Sequence, residues 1–163
     1  MKQEQLKMSN DGRAVIKKAG RPQAALHRAA YELSLKSTFF DVPHIVDEDP
    51  QNETITLEYL PGLISLKEKL AQSSVSSELI SRIGFSLGML HRRLVLPSEL
   101  IITAPAPWLG EPSDRVIVHG DFNAVNLCYD PQREKLVILD WETSPALAFK
   151  CTQASRYLDA AQF

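Results

Sequence analysis

The chain has 163 residues, of which 44% are hydrophobic and 23% are charged, and its formal net charge at pH 7 is −2. This is the composition of an ordinary globular protein, with enough length for one sizeable core or for two small lobes around a cleft. A nearly neutral chain gives no reason to expect nucleic acid or a membrane surface as its main partner. The two cysteines, Cys128 and Cys151, lack the spacing of a disulfide framework or a zinc site, and no apolar run approaches the roughly 20 residues of a membrane span. We therefore expect a cytoplasmic protein.

The N-terminal part of the chain alternates between strand and helix patterns. Residues 5–17 predict a hairpin, because the polar turn NDG at 10–12 separates LKMS from the β-branched RAVIK. Lys17 closes the second strand of this hairpin. The next segment, 20–37, begins with glycine and proline and then places apolar residues at helical spacing, which predicts a helix that carries Glu32.

A second hairpin and two helices are predicted next. Segment 44–62 alternates apolar residues with threonine after a Pro-Gln-Asn turn, which predicts two strands, and the chain then breaks at LPG. Ser65 and Glu68 have the spacing of a capping box and predict a short helix. A longer helix is predicted over 79–94, with one apolar face that packs on the core. That face consists of Ile80, Ile83, Leu87, Leu90 and Leu94.

The C-terminal part combines irregular chain with a short β-hairpin. A proline-rich connector over 96–112 precedes the strand pattern RVIVHGD at 115–121. LCY and LVIL stand on either side of the turn DPQREK at 130–135, and they predict two antiparallel strands. The tail, 141–163, is expected to be partly helical.

Polar side chains stand at the ends of these strands. Asp121 follows one apolar run, Asn126 comes five positions later, and Asp140 ends the next run. Because the LCY and LVIL strands fold back on each other, we expect Asp140 to lie beside Asn126. Phosphoryl transfer uses such a set: one Asp accepts a hydroxyl proton, an Asn and a second Asp bind Mg²⁺ through hard oxygen ligands, and a distant Lys neutralises phosphate. The alternative is that all three are turn formers, since Asp and Asn favour turns.

HGDFNAVN and ILDWE together resemble the catalytic segments of the aminoglycoside phosphotransferase and choline kinase family, whose members are relatives of the protein kinases. The resemblance implies that Asp121 is the catalytic base and that Asn126 and Asp140 bind Mg²⁺. It gives His119 a supporting role as a hydrogen-bonded strut of the same loop. LGMLHRR matches a helix segment that precedes the catalytic loop in this family, and the likeness covers roughly residues 6–145.

The resemblance extends to the N-terminal hairpin. AVIK is similar to the strand whose lysine contacts the phosphates of ATP, which implies that Lys17 is the phosphate lysine and Glu32 its ion-pair partner. Lys18 is the alternative, because neighbouring residues of a strand point to opposite faces and only one of the two can enter a cleft. LEYLPG resembles the hinge that binds adenine through its backbone. The residues implied there are Glu58, Tyr59 and Leu60.

The implied fold is α+β and protein-kinase-like, with two lobes. Residues 1–62 would form an incomplete N-terminal nucleotide-binding β-lobe that ends at the hinge, and residues 63–163 a partial helical lobe with the catalytic loop and the metal-binding hairpin. A first strand, its Gly-rich loop and the helices that bind the phosphate acceptor are expected to be missing. Three explanations stay open: a fragment of a longer gene, a remnant without activity, or a minimal chain that completes its site by self-association.

The implied function is transfer of the γ-phosphate of ATP, with Mg²⁺, to a hydroxyl of a small metabolite or aminoglycoside-like acceptor. A non-catalytic pseudokinase or nucleotide-binding interaction module is the main alternative. GFSLG also matches the GxSxG elbow of serine hydrolases, with Asp114 and His119 following in the usual order. An elbow requires a strand that runs into a sharp turn, whereas Ser86 falls inside the predicted helix, so hydrolysis is disfavoured. A metal hydrolase is disfavoured too, because the chain has no HExxH motif.

Overall fold

The structure, a computed structural model, describes residues 7–9 and 12–163. Over these residues the strands are β1 (Lys7–Met8), β2 (Ala14–Lys18), β3 (Phe40–Asp41), β4 (Ile45–Asp49), β5 (Thr54–Glu58), β6 (Ile64–Ser65), β7 (Arg115–Ile117), β8 (Leu127–Asp130), β9 (Lys135–Ile138) and β10 (Gln153–Ser155). The helices are α1 (Arg21–Ser34), α2 (Leu66–Ala71), α3 (Ser77–Arg93), α4 (Ala106–Leu109) and α5 (Tyr157–Gln162). Single 3-10 turns cover Ser98–Leu100 and Pro112–Asp114.

An antiparallel sheet in the order β1-β2-β5-β4 contains both predicted N-terminal hairpins. Lys7 pairs with Ile16 across the first hairpin, which confirms that prediction for the described residues. Of its predicted turn, positions 10 and 11 lie outside the described residues. The second hairpin turns as expected, because the side chain of Asp49 accepts hydrogen bonds from the backbone N–H groups of Gln51 and Asn52.

Helix α1 packs against this sheet through Ala24, which forms a small apolar cluster with Ile55 and Leu57 of β5. Gly20 is its N-cap and a proline occupies its first turn, as the sequence predicts. The buried face of α1 includes Leu26, His27 and Ala30. Leu26 and Ala30 belong to the main hydrophobic core, so α1 connects the N-terminal sheet with the rest of the fold.

A second sheet, in the order β3-β9-β8-β6, lies under the main core. β8 and β9 form the antiparallel hairpin predicted from LCY and LVIL, with Leu127 opposite Ile138. β3 joins this sheet in parallel with β9, so that Phe40 pairs with Leu136. The core above it therefore combines residues from both sides of position 62, and the division at that position stays a prediction.

Helix α2 begins at the predicted cap, whereas α3 begins two residues before the predicted position 79, and its apolar stripe differs from the prediction. Ser65 and Glu68 form the complete capping box at the start of α2. In α3 the side chain of Ile80 is 44% exposed, whereas Leu79 is only 6% exposed. The predicted stripe was therefore wrong at its first position. The buried face of α3 runs through Leu79, Ile83, Ser86 and Leu90.

The C-terminal tail returns to the strand that leads into the HGD sequence. β10 pairs antiparallel with β7, and Ala154 lies opposite Val116. The partly helical tail is confirmed, because α5 follows β10. Cys128 and Cys151 are both buried and free. None of the helices in the described part of the chain has both the length and the hydrophobicity of a membrane span.

Candidate functional site

The HGD sequence forms a tight loop directly after β7. Gly120 has φ of 89°, which favours glycine. A Cβ atom at this position would lie 3.0 Å from Cα and 3.2 Å from N of Thr143. The carbonyl of Gly120 accepts a hydrogen bond of 2.9 Å from the N–H of Ser144. The loop is thus held backbone to backbone against the segment that follows Asp140.

His119 connects the loop to the strand before Asp140. Its Nε2 lies 2.8 Å from the carbonyl oxygen of Leu139, and its Nδ1 accepts a hydrogen bond of 3.2 Å from the N–H of Asp121. A carbonyl can only accept and an amide N–H can only donate, so these partners select the neutral ring with its proton on Nε2. Burial lowers the pKa of His119, although the charge of Asp159 opposes that shift. His119 therefore acts as a neutral strut.

Two asparagines orient the carboxylate of Asp121. Asn123 Nδ2 donates to Oδ1 of Asp121 at 2.9 Å, and Asn126 Nδ2 donates to Oδ2 at 2.9 Å. Asn126 Nδ2 also donates to the backbone carbonyl of Asp121 at 3.0 Å. Because each carboxylate oxygen has two lone pairs, both oxygens can still accept a further proton donor. Sequence reasoning missed Asn123, although its place two residues after the aspartate was visible.

Asp140 follows β9 in a left-handed conformation, with φ of 57°. The N–H of Leu139 donates to the carbonyl of Asn126 at 2.9 Å, so the β8–β9 hairpin brings the chain next to Asp140 alongside Asn126. The side chain of Asp140 is 41% exposed, and its carboxylate pairs with the ammonium group of Lys17. This ion pair joins the N-terminal sheet to the loop after β9, two elements 123 residues apart.

Of the two adjacent lysines, Lys17 enters the site. Its side chain is 10% exposed, and its Nζ also lies 4.0 Å from Oε2 of Glu142. The exposed Lys18 instead donates to the backbone carbonyl of Asn52 at 2.7 Å. The sequence left open whether Lys17 or Lys18 enters the cleft, and the structure shows that Lys17 does.

The predicted ion pair between Lys17 and Glu32 is wrong, since the structure pairs Lys17 with Asp140 and leaves Glu32 exposed. The buried face of α1 presents His27, and Glu32 stands five residues later, about 140° around the helix. His27 Nε2 lies 2.7 Å from the carbonyl oxygen of Pro43. Burial lowers the pKa of His27 to about 4, and the charge of Lys17 contributes to that shift. The buried face of the helix therefore carries a neutral ring within the electrostatic influence of Lys17, and no carboxylate.

The predicted hinge is hydrogen-bonded to the residues that directly precede β4 and β2. Glu58 donates its N–H to the carbonyl of His44 and accepts the N–H of His44 on Oε1, both at 2.9 Å. The N–H of Tyr59 donates to the carbonyl of Arg13 at 3.0 Å. These bonds hold the segment in place and already use the N–H groups of its first two residues. Leu60, the third, is half-buried.

A buried aspartate in α5 holds the HGD loop from behind, and sequence reasoning missed it. Asp159 Oδ1 accepts the N–H of Gly120 at 2.9 Å, and Oδ2 accepts the N–H of His119 at 3.0 Å. Oδ2 also lies 2.9 Å from Nε2 of His91, on α3. Gln162 Nε2 donates to the carbonyl of Gly120 at 2.8 Å. The one available signal was an acidic residue inside an otherwise apolar helical turn, LDAA.

The donor set near Asp140 suits a hard divalent cation. Asn126 Nδ2 points at Asp121, so its amide oxygen faces elsewhere and is available as a ligand. A carboxylate and an amide oxygen are ligands that Mg²⁺ accepts, and this ion usually takes only one or two carboxylates from protein and completes its shell with phosphate and water. Among the described residues, no three His, Cys, Asp or Glu side chains form a metal-binding cluster, as an all-protein cage would need.

Comparison with known proteins places the fold. No protein-family model and no curated protein sequence matches the chain. A choline/ethanolamine kinase family protein from Mesorhizobium loti is similar in structure, with a TM-score of 0.54 and 15% identity over 93% of this chain and 57% of that one. The chain has a kinase-like phosphotransferase fold. A glucosamine kinase is also similar, with a TM-score of 0.56 and 15% identity over 93% of this chain and 52% of that one.

These similarities confirm two predictions from the sequence, the resemblance to choline kinase relatives and the protein-kinase-like α+β fold. The chain spans a little more than half the length of these structures. The serine hydrolase alternative does not fit the structure, because Ser86 is fully buried within α3 and its hydroxyl donates to the carbonyl of Arg82 at 2.7 Å. A serine in that position has no access to a substrate.

Proposed function

We propose that this chain binds ATP with Mg²⁺ and transfers the γ-phosphate to a hydroxyl group of a small molecule. The observation that carries the proposal is the convergence of Lys17, Asp121, Asn126 and Asp140 on one site of a kinase-like fold. One similar structure is a choline/ethanolamine kinase family protein and the other is a glucosamine kinase, and choline, ethanolamine and glucosamine each carry a hydroxyl group. These compounds define the first acceptors to test.

Asp121 is the proposed catalytic base. Phosphoryl transfer requires a carboxylate that orients the acceptor hydroxyl and takes its proton as the new bond forms. The amide groups of Asn123 and Asn126 fix the plane of the carboxylate and leave one lone pair on each oxygen for the hydroxyl. His119 supports this arrangement through the N–H of Asp121.

Lys17 is the proposed phosphate ligand. Its ammonium group supplies three donors close to the oxygen ligands of Asn126 and Asp140, where the phosphates of a nucleotide would lie. Bound Mg²⁺ would neutralise phosphate charge, and Asn126 and Asp140 are the residues that would hold it. At the proposed hinge of Glu58, Tyr59 and Leu60, the N–H groups of the first two residues are already hydrogen-bonded, so adenine would bind through the N–H of Leu60 and backbone carbonyl groups.

Isothermal titration with ATP tests the proposal, with and without Mg²⁺. We expect ATP binding to depend on Mg²⁺. Asp140→Asn should weaken this binding at least about tenfold, because Asp140 is the one carboxylate of the two proposed metal ligands, Asn126 and Asp140. Glu32→Gln is the matched control, since Glu32 is exposed and Lys17 pairs with Asp140 instead. Release of ADP in the presence of choline, ethanolamine or glucosamine then tests transfer. A folded chain that binds no ATP with Mg²⁺ would contradict the proposal.

A non-catalytic nucleotide-binding module is the second candidate. One observation favours it: α1 provides no carboxylate to Lys17, which pairs with Asp140 instead. On this alternative, binding of ATP persists without phosphate transfer, and Asp121→Asn leaves the affinity for ATP unchanged. An acceptor-dependent release of ADP that Asp121→Asn abolishes would decide for the kinase.

A further inference from the structure

Lys17 lies between two carboxylates that belong to one short turn. It pairs with Asp140, and Glu142 Oε2 is 4.0 Å from the same nitrogen. The N–H of Glu142 donates to the carbonyl of Asp140 at 2.9 Å, which closes the turn. Between them Trp141 is 1% exposed and donates its indole N–H to the carbonyl of Ile138 at 3.1 Å. The buried indole anchors the turn and leaves both neighbouring carboxylates near Lys17.

In the proposed reaction Asp140 has to bind the cation, whereas Glu142 has no assigned role. A divalent cation bound to Asp140 would repel the ammonium group of Lys17 and draw charge from the carboxylate, so it would weaken the pair that Lys17 makes with Oδ1. When the nucleotide binds with its cation, Lys17 would then lose its partner, although its ammonium group must be held in position to bind phosphate. Helix α1 cannot supply a replacement, since Glu32 is its only acidic residue and is exposed, and His27 is neutral.

We propose that Glu142 is the positioning residue for Lys17, taking over its ammonium group when Asp140 turns to the cation. This inference rests on the proposed function. A charge-assisted hydrogen bond has a length of about 2.7–2.9 Å, so a shift of roughly 1 Å in the Lys17 side chain closes the present 4.0 Å gap. The lysine stays at the site, and the carboxylate of Asp140 becomes free. Glu142, two positions after the proposed metal ligand Asp140, would thus hold Lys17, the role predicted from the sequence for Glu32 of α1.

A ligand-free measurement tests the pairing directly. In an Asp140→Asn background the lysine has lost its first partner, and Glu142 should replace it. Urea unfolding of Lys17→Met, Glu142→Gln and the double variant then gives a double-mutant cycle. We expect a coupling of about two- to fivefold in the unfolding equilibrium constant, the range of a partly exposed ion pair. The same cycle with Glu32→Gln is the control and should be additive. Additive effects for Glu142 would overturn the inference.

Nucleotide binding provides the second readout. With Mg²⁺ present, Glu142→Gln should weaken binding of a non-hydrolysable ATP analogue about two- to fivefold, and Glu142→Asp should restore part of that binding. Adenosine, which has no phosphate for Lys17, should bind both variants and the wild type equally. A loss of adenosine binding equal to the loss for the ATP analogue would show a general structural defect and contradict a positioning role.

The two readouts separate this inference from the proposed function. A wild-type chain that binds no nucleotide, together with a non-additive cycle, would refute the proposed function and leave the pairing of Lys17 with Glu142 in place. Nucleotide binding that Glu142→Gln leaves unchanged, together with an additive cycle, would refute the pairing alone.

Discussion

Replacing Asp159 by asparagine changes a single buried group behind the HGD loop. Asp159 is fully buried, and its two oxygens accept from the backbone N–H groups of His119 and Gly120 and from the ring of His91. Asparagine keeps one oxygen and puts an NH₂ group in place of the other. If that oxygen stays on Gly120, the new NH₂ group faces the N–H of His119, donor against donor.

The magnitude follows from this one unsatisfied donor. The imidazole of His91 can change its tautomer and accept from the new NH₂ group, but the backbone N–H of His119 has no such choice. A buried donor left without a partner costs about 1–3 kcal/mol. We therefore expect Asp159→Asn to lower the free energy of unfolding by about 1–3 kcal/mol, and to weaken activity further because the loop of Asp121 is no longer held in register.

Urea unfolding followed by the fluorescence of the buried Trp141 measures this change. Asp114→Asn is the matched control. Its carboxylate pairs with Arg156 at 3.4 Å near the surface, and an exposed pair contributes at most about 1 kcal/mol. An Asp159→Asn variant that unfolds at the same urea concentration as the wild type would refute the idea that this carboxylate holds the loop.

Three further predictions concern the HGD loop, the buried His27 and the two adjacent lysines. Gly120→Ala places a Cβ atom 3.0 Å from a backbone carbon at a φ of 89°, so we expect the free energy of unfolding, measured with urea, to fall by at least about 2 kcal/mol. The control is Gly84→Ala in α3, where the added Cβ atom meets nothing within 4 Å and should raise the free energy of unfolding by about 0.5–1 kcal/mol. Burial holds the pKa of His27 at about 4, below its ordinary 6.5, so the unfolded chain takes up a proton that the folded chain excludes. The contribution of neutral His27 to the free energy of unfolding is therefore complete above pH 6.5 and declines as the pH falls toward 4. In His27→Gln the free energy of unfolding, measured by urea unfolding, should decrease less between pH 6.5 and pH 4, by up to about 3 kcal/mol. Lys17→Met should weaken binding of ATP with Mg²⁺ at least about tenfold by isothermal titration, whereas Lys18→Met should leave it within about twofold, because only Lys17 faces Asp140.

Local patterns in the sequence were sufficient for most of the secondary structure. The capping box at Ser65 and Glu68, the turn after Asp49 and the hairpin of β8 and β9 all depend on residues that are close in the chain. Periodicity places an apolar face on α3 but fixes its angle only to within about one residue, or 100°. This uncertainty of one residue explains why Ile80 was predicted to be buried whereas its neighbour Leu79 is the buried residue.

The partner of Lys17 could not be predicted from local patterns. A helical period says which residues share a face, but it does not say which face turns toward a strand at the other side of a cleft. That rotation is set by the packing of Leu26 and Ala30 on the main core, and it turns His27 rather than Glu32 toward the site. The contacts of Asp159 were hidden for the same reason, since they join residues about 40 positions apart.

The charges of the site argue for a nucleotide that arrives with its cation. Asp121, Asp140, Glu142 and Lys17 sum to −2 when the carboxylates are ionised. At an effective dielectric constant of about 20, two unit charges 4 Å apart interact by about 4 kcal/mol, so free ATP would be repelled by the acids that surround its lysine. A divalent cation cancels the sum and gives the phosphates a ligand. Removing Mg²⁺ should therefore weaken ATP binding more than it weakens adenosine binding, and equal losses for both would contradict this electrostatic argument.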